Sequence, residues 1–199
     1  MIPRYLIIGV AILLAITLGM SAYVWRMRGR VDRSEVSTSN TQPVAPPVSG
    51  SREPVTLYVA YDDAGVMRPK PVRIPLPAGR QERAAEILRT LLTLYLDKLS
   101  PHSLGAGSEI RDVYLVDTGL AVIDLNAAFA DNHRSGVLVE ELTVVSLVET
   151  LSANIPGITR VKILVEGKEC DTLAGHADLS DFYDVSAITQ AVAQLQNTQ

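Results

Sequence analysis

Residues 5–24 (YLIIGVAILLAITLGMSAYV) carry no formal charge, and as a helix rising about 1.5 Å per residue they reach roughly 30 Å, the thickness of bilayer hydrocarbon. This predicts a transmembrane helix at 5–25, after a short tail at 1–4. Tyr5 and Trp25 stand at its ends, where amphipathic rings favour the headgroup layer, and Arg4 and Arg26 mark the membrane interface. A cleaved signal peptide is the competing reading, but its apolar region usually runs about 7–15 residues and ends at a small-residue site. Residues 26–54 then lose all apolar periodicity. Within them, 31–54 hold five Ser, two Thr and four Pro, a composition that buries too little surface to offset chain entropy. They read as a basic juxtamembrane stretch followed by a tether.

From residue 55 the periodicities of a folded domain begin. Residues 55–61 (VTLYVAY) alternate and are rich in β-branched and aromatic side chains, which predicts a strand ended by Asp62, Asp63 and Gly65. Residues 72–76 form a short extended piece that Pro75 confines to an edge. Over 80–99, Ala84, Leu88, Leu91, Leu92, Tyr95 and Leu99 recur at three- and four-residue steps, the mark of an amphipathic helix stopped by Ser100-Pro101. Residues 110–116 and 120–125 flank Asp117-Thr118-Gly119 and read as a hairpin. A second helix, capped by Ser135, runs to about Ala153 on a stripe of Leu138, Leu142, Val145, Val148 and Leu151. Residues 158–165 (ITRVKILV) predict a strand, with a return strand at 169–173. Residues 182–199 form a tail whose stretch 185–196 is a weak helix. Two amphipathic helices against a mainly antiparallel sheet give an α+β sandwich.

The chain has 199 residues, 47% hydrophobic and 20% charged, with mean hydropathy +0.19 and formal net charge −4. Residues 1–54 hold six Arg/Lys against three Asp/Glu, and residues 55–199 hold twelve against nineteen. A folded body this acidic lacks the basic surface that phosphate backbones require, so nucleic acid is not an expected partner. The single cysteine, Cys170, excludes an intrachain disulfide and a thiolate zinc site. Arg26, Arg28, Arg30 and Arg33 all follow the apolar span, so the positive-inside rule alone would keep the domain in the cytoplasm.

An enzyme needs convergent groups, and none is evident. Nucleophile-elbow, phosphate-loop, dinucleotide-binding and zinc-protease motifs are missing from the sequence. His102, His133 and His176 all fall in expected loops, where a solvated imidazole is the ordinary reading. In Gly175-His176-Ala177-Asp178 the His and Asp could place an imidazole beside a carboxylate, supply two metal ligands, or bind a small ligand. The plainer reading has Gly175 take an unusual backbone angle while His176 or Asp178 bonds backbone groups to pin the loop. Asp124, inside the apolar AVIDLN strand, is either a buried base or, at a strand end with Asn126, an acceptor for the next turn. No catalytic residue, metal or cofactor is expected, and a metal-assisted hydrolase using Asp124, His176 and Asp178 is the remote alternative.

Four blocks in order, VTLYVAY, GLAVIDLNAAF, ETLSANIPGITRVKILVEGK and TLAGHADLS, resemble the GerMN domain of sporulation and spore germination proteins over about residues 55–181. DKLSPHSLGAG departs from the family's usual glycine-proline step, keeping Pro101 only. The resemblance implies a non-enzymatic, extracytoplasmic interaction domain held at the cytoplasmic membrane. Its partners would be the lipid bilayer through residues 5–24, and envelope proteins or a second copy of the chain. A module binding small molecules, peptides or glycan fragments at the Gly175-His176-Asp178 loop is the second expectation.

Overall fold

A computed structural model of the protein describes residues 52–116 and 119–197. The helix expected at 5–25, with Arg4, Tyr5, Trp25 and Arg26, and almost all of the tether lie outside the described residues. Among the described residues no helix is long and apolar enough to cross a membrane.

Strand β1 (Arg52–Tyr61) pairs antiparallel with β2 (Val66–Pro75) along its whole length, from Arg52 opposite Pro75 to Tyr61 opposite Val66. The short edge piece expected at 72–76 is thus the end of a ten-residue strand. Its prolines explain both the missed strand and the two-stranded sheet. Pro69, Pro71 and Pro75 sit at alternate positions and so aim their ring nitrogens to one side. That side faces away from β1, since Pro69 and Pro71 lie opposite Tyr58 and Thr56, whose amides bond elsewhere. A strand that lacks a donor at three of its five outer positions is a poor template for another, and exposed Arg68, Lys70 and Arg73 reinforce the block.

The second sheet runs β3-β4-β5-β6, with β3 (Ile110–Val116), β4 (Leu120–Leu125), β5 (Arg160–Val165) and the two-residue β6 (Tyr183–Asp184). The pairings are mainly antiparallel, as expected, but this sheet is mixed: β4 and β5 are parallel, from Leu120 opposite Arg160 to Leu125 opposite Val165. Parallel neighbours need a crossover. It is supplied here by α2 (Ala127–Asp131) and α3 (Val137–Asn154), while α1 (Arg80–Tyr95) precedes β3 and α4 (Val185–Asn197) closes the chain. The return strand expected at 169–173 does not form. Only isolated bridges join Val165 to Lys168 and Thr172 to Asp178, and β5 takes β6 as its second neighbour. Helix α1 also stops short of residue 99, because Pro101 bars helix ahead of it and the Asp97 carboxylate takes the Leu99 amide in a turn. Leu99 is 93% exposed.

Helix α3 is not the one-striped helix expected. It lies between β1, α1 and α4, and Glu140, Thr143, Ser146, Glu149 and Thr150 are buried beside its apolar residues, whereas Leu138 is half exposed. Part of this polar face covers β1's second edge. Asn154 accepts from Thr56 N through Oδ1 (3.0 Å) and donates to Thr56 O through Nδ2 (2.7 Å). Thr150 Oγ1 accepts from Tyr58 N (2.9 Å), Ser146 Oγ donates to Tyr58 O (2.6 Å), and the Tyr95 hydroxyl of α1 accepts from Ala60 N (2.9 Å). Side chains at four-residue steps along a helix thereby replace a neighbouring strand, and this edge of β1 is closed to a partner strand.

Asn154→Ala should therefore destabilise the domain by about 1–2 kcal/mol, since it leaves the Thr56 amide and carbonyl unmatched. Ser152→Ala, two residues away on another face and bonded only within the helix, should change it by less than about 0.5 kcal/mol. Urea unfolding of the two variants checks this.

Candidate functional site

Glu140, in the first turn of α3, is completely inaccessible to solvent, and each carboxylate oxygen is crowded by donors. Oε1 accepts from Gly136 N (3.0 Å) and His176 Nδ1 (2.9 Å); Oε2 accepts from Ala174 N (3.0 Å), His176 N (2.9 Å) and Ala177 N (3.0 Å). Burial works to raise its pKa, but the amides and the imidazole overcome that and hold it well below the usual carboxylate range. At the far end of the same loop, buried Lys162 of β5 donates to the carbonyls of Leu179 (2.9 Å) and Ser180. Helix and sheet thus grip residues 174–180 with charges of opposite sign, the carboxylate on N–H groups and the ammonium on C=O groups. Gly175 lies between them at φ +117°, a conformation closed to other residues without strain.

His176 and Asp178 are not partnered with each other. The carboxylate beside the His176 imidazole is Glu140, while Asp178 Oδ1 accepts from Ser180 N (2.8 Å) and Ser180 Oγ (2.6 Å), contacts that lower its pKa. Asp124 belongs to a third cluster: Oδ1 accepts from Gly167 N (2.7 Å) and Oδ2 meets Arg111 Nη1 (3.0 Å). It therefore fastens the turn after β5, not the one that follows its own strand. Asn126 caps α2 by accepting from Phe129 N. No group of three or more His, Cys, Asp or Glu side chains is placed to hold a metal among the described residues.

Sequence reasoning missed the most connected polar cluster. His102 and His133, expected to be solvated, are buried, and both Nε2 atoms lie 2.8 Å from Thr143 Oγ1. His102 Nδ1 donates to Asp62 Oδ1 (2.6 Å), Asp62 also pairs with Arg134, and His133 Nδ1 donates to Arg134 O (2.8 Å). The Tyr95 ring meets His102 edge-on and the Phe129 ring stacks on His133. Asp62–His102–Thr143 has the connectivity of an acid–base–hydroxyl triad, but His102 and Thr143 have no accessible surface at all and no substrate carbonyl can reach the hydroxyl. Burial is also the dominant influence on both imidazoles, pulling each below its ordinary pKa against the opposing contacts of Asp62 and of the Arg134 carbonyl. The one legible signal was Thr143, a hydroxyl in the middle of an apolar helix.

What is open to solvent lies on the other side of the loop. A groove of about 500 Å³ runs between α3 and α4, floored by Leu138, Leu142, Val145, Ile188, Ala191 and Leu195. His176, Asp178 and Glu141 stand along it, and no Lys or Arg lines it. Nε2 of His176 has no partner among the described residues, and Nδ1 is fixed on Glu140, so the ring presents one defined nitrogen.

Comparison with known families places the chain. The family named Germane, described as sporulation and spore germination, matches residues 56–171, more than half of the protein. The chain belongs to the Germane family. The GerMN resemblance read from the four sequence blocks is thereby borne out. Similar solved structures include the tandem GerMN domains of the sporulation protein GerM from Bacillus subtilis, at 21% identity and TM-score 0.51, covering 67% of this chain and 46% of that one. The first GerMN domain of the same protein, alone, gives 21% identity, TM-score 0.47 and coverage of 66% and 97%. A Clostridium perfringens protein described as a lipoprotein gives 18% identity, TM-score 0.46 and coverage of 74% and 96%. No curated protein matches. The tandem structure supports the fold of this Germane domain, and its polar clusters must be read from its own residues.

Glu140→Gln should cost the Germane domain about 3 kcal/mol, because a buried acceptor of four amides and an imidazole becomes in part a donor. A carboxylate whose folded pKa is depressed contributes stability above its unfolded pKa and loses it as the pH falls. The wild type should therefore weaken as pH drops below 4.5, the ordinary Glu value, and the variant should show a shallower acid limb. Thermal unfolding between pH 3 and pH 7 checks both, with about one fewer proton bound on unfolding in the variant.

Proposed function

We propose that this Germane domain is a non-catalytic interaction module. Residues 5–24 anchor it in the cytoplasmic membrane by a single span, the domain stands on the extracytoplasmic side, and it binds an envelope protein or a second copy through the α3–α4 groove. The groove carries this reading. It is apolar, open, and framed by a loop that two buried charges hold rigid, whereas the cluster with acid–base–hydroxyl connectivity is closed to substrate. Glu141 and Asp178 along it, with no Lys or Arg among the described residues that line it, suit an apolar partner segment flanked by Lys or Arg. The Ser- and Pro-rich composition of residues 31–54 supports a role near the membrane, since a tethered domain is held at high local concentration. A second reading rests on the free Nε2 of His176: a peptide or glycan fragment held at Gly175, His176 and Asp178 by a hydroxyl or amide donor.

A photo-reactive residue in place of Leu138, on the groove, should crosslink to a discrete partner or to a second copy in intact cells, while the same group at exposed Tyr114 on β3 should not. Monomer alone from both positions overturns the interaction reading. Loss of the Leu138 adduct on adding a short peptide or glycan fragment shifts the assignment to the second reading. Carbonate washing should leave the full chain in the membrane pellet, and its release intact would remove the anchor.

A further inference from the structure

The hydrogen bonds around His102 and His133 can be counted proton by proton. The Asp62 carboxylate and the Arg134 carbonyl offer acceptors to the two Nδ1 atoms, and the second Asp62 oxygen pairs with Arg134. Both Nδ1 atoms therefore carry hydrogen. In two neutral imidazoles both Nε2 atoms would then be bare, and both lie 2.8 Å from one Thr143 hydroxyl, which has a single proton and a further acceptor, Val139 O, at 2.9 Å. One nitrogen would face oxygen lone pairs at hydrogen-bond distance with nothing between them. One added proton removes the conflict.

We infer that the buried pair His102 and His133 carries one proton beyond two neutral rings, shared through Thr143, and retains it at neutral pH. The chain then runs in one direction: His102 donates through Nδ1 to Asp62 and through Nε2 to Thr143, Thr143 donates to His133 Nε2, and His133 Nδ1 donates to the Arg134 carbonyl. The charge resides on His102 because Asp62 faces it. Every charged group against the pair enters the balance. Asp62 and Glu140 favour the proton, Arg134 opposes it, Tyr95 offers a ring edge to His102, and Phe129 stacks on His133 without charge. Burial opposes it too and, taken ring by ring, draws each imidazole below its ordinary pKa; the proton count of the pair works against that, because a desolvated cation here keeps a full set of acceptors, whereas the neutral pair leaves a buried polar contact unmade.

The extra proton joins three segments: the turn after β1 through Asp62, the loop after α1 through His102, and the stretch before α3 through His133. A pair whose folded pKa lies above the unfolded value contributes stability fully below the unfolded pKa, about 6.5 for His. That contribution is lost as pH rises through the folded pKa. The domain is accordingly strengthened by mild acid and loosened by alkali at this node, opposite in sign to Glu140 and in a different pH window.

The test uses the full chain, ¹⁵N-labelled in detergent micelles, with its three imidazoles assigned through His176→Asn and His133→Gln. At pH 7.5 the two-bond ¹H–¹⁵N spectrum should show His102 with both nitrogens protonated, and this state should persist at least one pH unit above the ordinary His value. In His133→Gln an amide donates to Thr143 at any pH, freeing the hydroxyl proton for His102, whose imidazolium signature should vanish at pH 7.5. Neutral rings at both 102 and 133 in the wild type overturn the inference. So does an imidazolium that survives unchanged in His133→Gln, since Asp62 alone would then account for it. If that variant does not fold, the wild-type spectrum decides on its own.

Discussion

Helix α3 is buried on most of its circumference, and a helix in that position must answer the unpaired backbone of everything packed on it. Its own N–H and C=O groups are consumed internally, so the answer comes from side chains. Asn154, Thr150 and Ser146 complete the ladder that β1 lacks, Thr143 gathers two histidines, and Glu140 collects the amides of the loop before α4. Spacings of three and four residues put all five on one side of the helix. Because an unmatched buried polar atom costs more than a matched one contributes, these positions fix how β1, the histidine loops and the 174–180 loop sit against α3. No buried side-chain nitrogen or oxygen is left without a partner among the described residues.

The same requirement separates what the domain can do from what its connectivities suggest. A hydroxyl, an imidazole and a carboxylate in line are chemically competent only if the hydroxyl can reach a substrate. Thr143 is enclosed by two imidazole rings and has no accessible surface, so its hydroxyl serves cohesion. At the Glu140 cluster the balance differs: the carboxylate is fully occupied, but the imidazole it orients reaches the surface with one nitrogen spare. Buried charge in the first case closes a core, and in the second it sets the edge of a groove.

The sequence made legible those elements whose pattern follows from a single neighbour. The 110–125 hairpin forms where the sequence puts it, and α1 keeps its stripe through Tyr95. Elements with neighbours on several sides were misjudged. The prolines of β2 argue against a strand unless one knows that its outer side is meant to stay unpaired. Helix α3 was given one apolar stripe because its buried polar residues resemble a solvated face until their partners are seen. Adjacent Glu140 and Glu141 must point two ways on a helix, yet nothing local says that Glu140 points into the core and Glu141 along the groove. Asp124 accepts backbone hydrogen bonds as the plainer reading had it, but from a turn 43 residues onward, a distance that strand alternation does not reveal. His102 and His133 became invisible once placed in loops, because loop position says nothing of what a loop packs against.

If the α3–α4 groove takes a partner, as proposed above, these long-range polar contacts bear on how it does so. A surface loop ordinarily surrenders conformational freedom when it binds, which lowers affinity. Here residues 174–180 have already surrendered it, to Glu140 at one end and Lys162 at the other. The cost of ordering is met in folding and is not charged again on association. Recognition by such a rim then depends on shape and on the fixed nitrogen of His176, and discrimination among partners falls to Glu141 and Asp178, which penalise an acidic segment by like-charge contact. A rigid apolar trough bordered by carboxylates is selective before any partner arrives, and that preorganisation is the property that the buried charges around α3 confer.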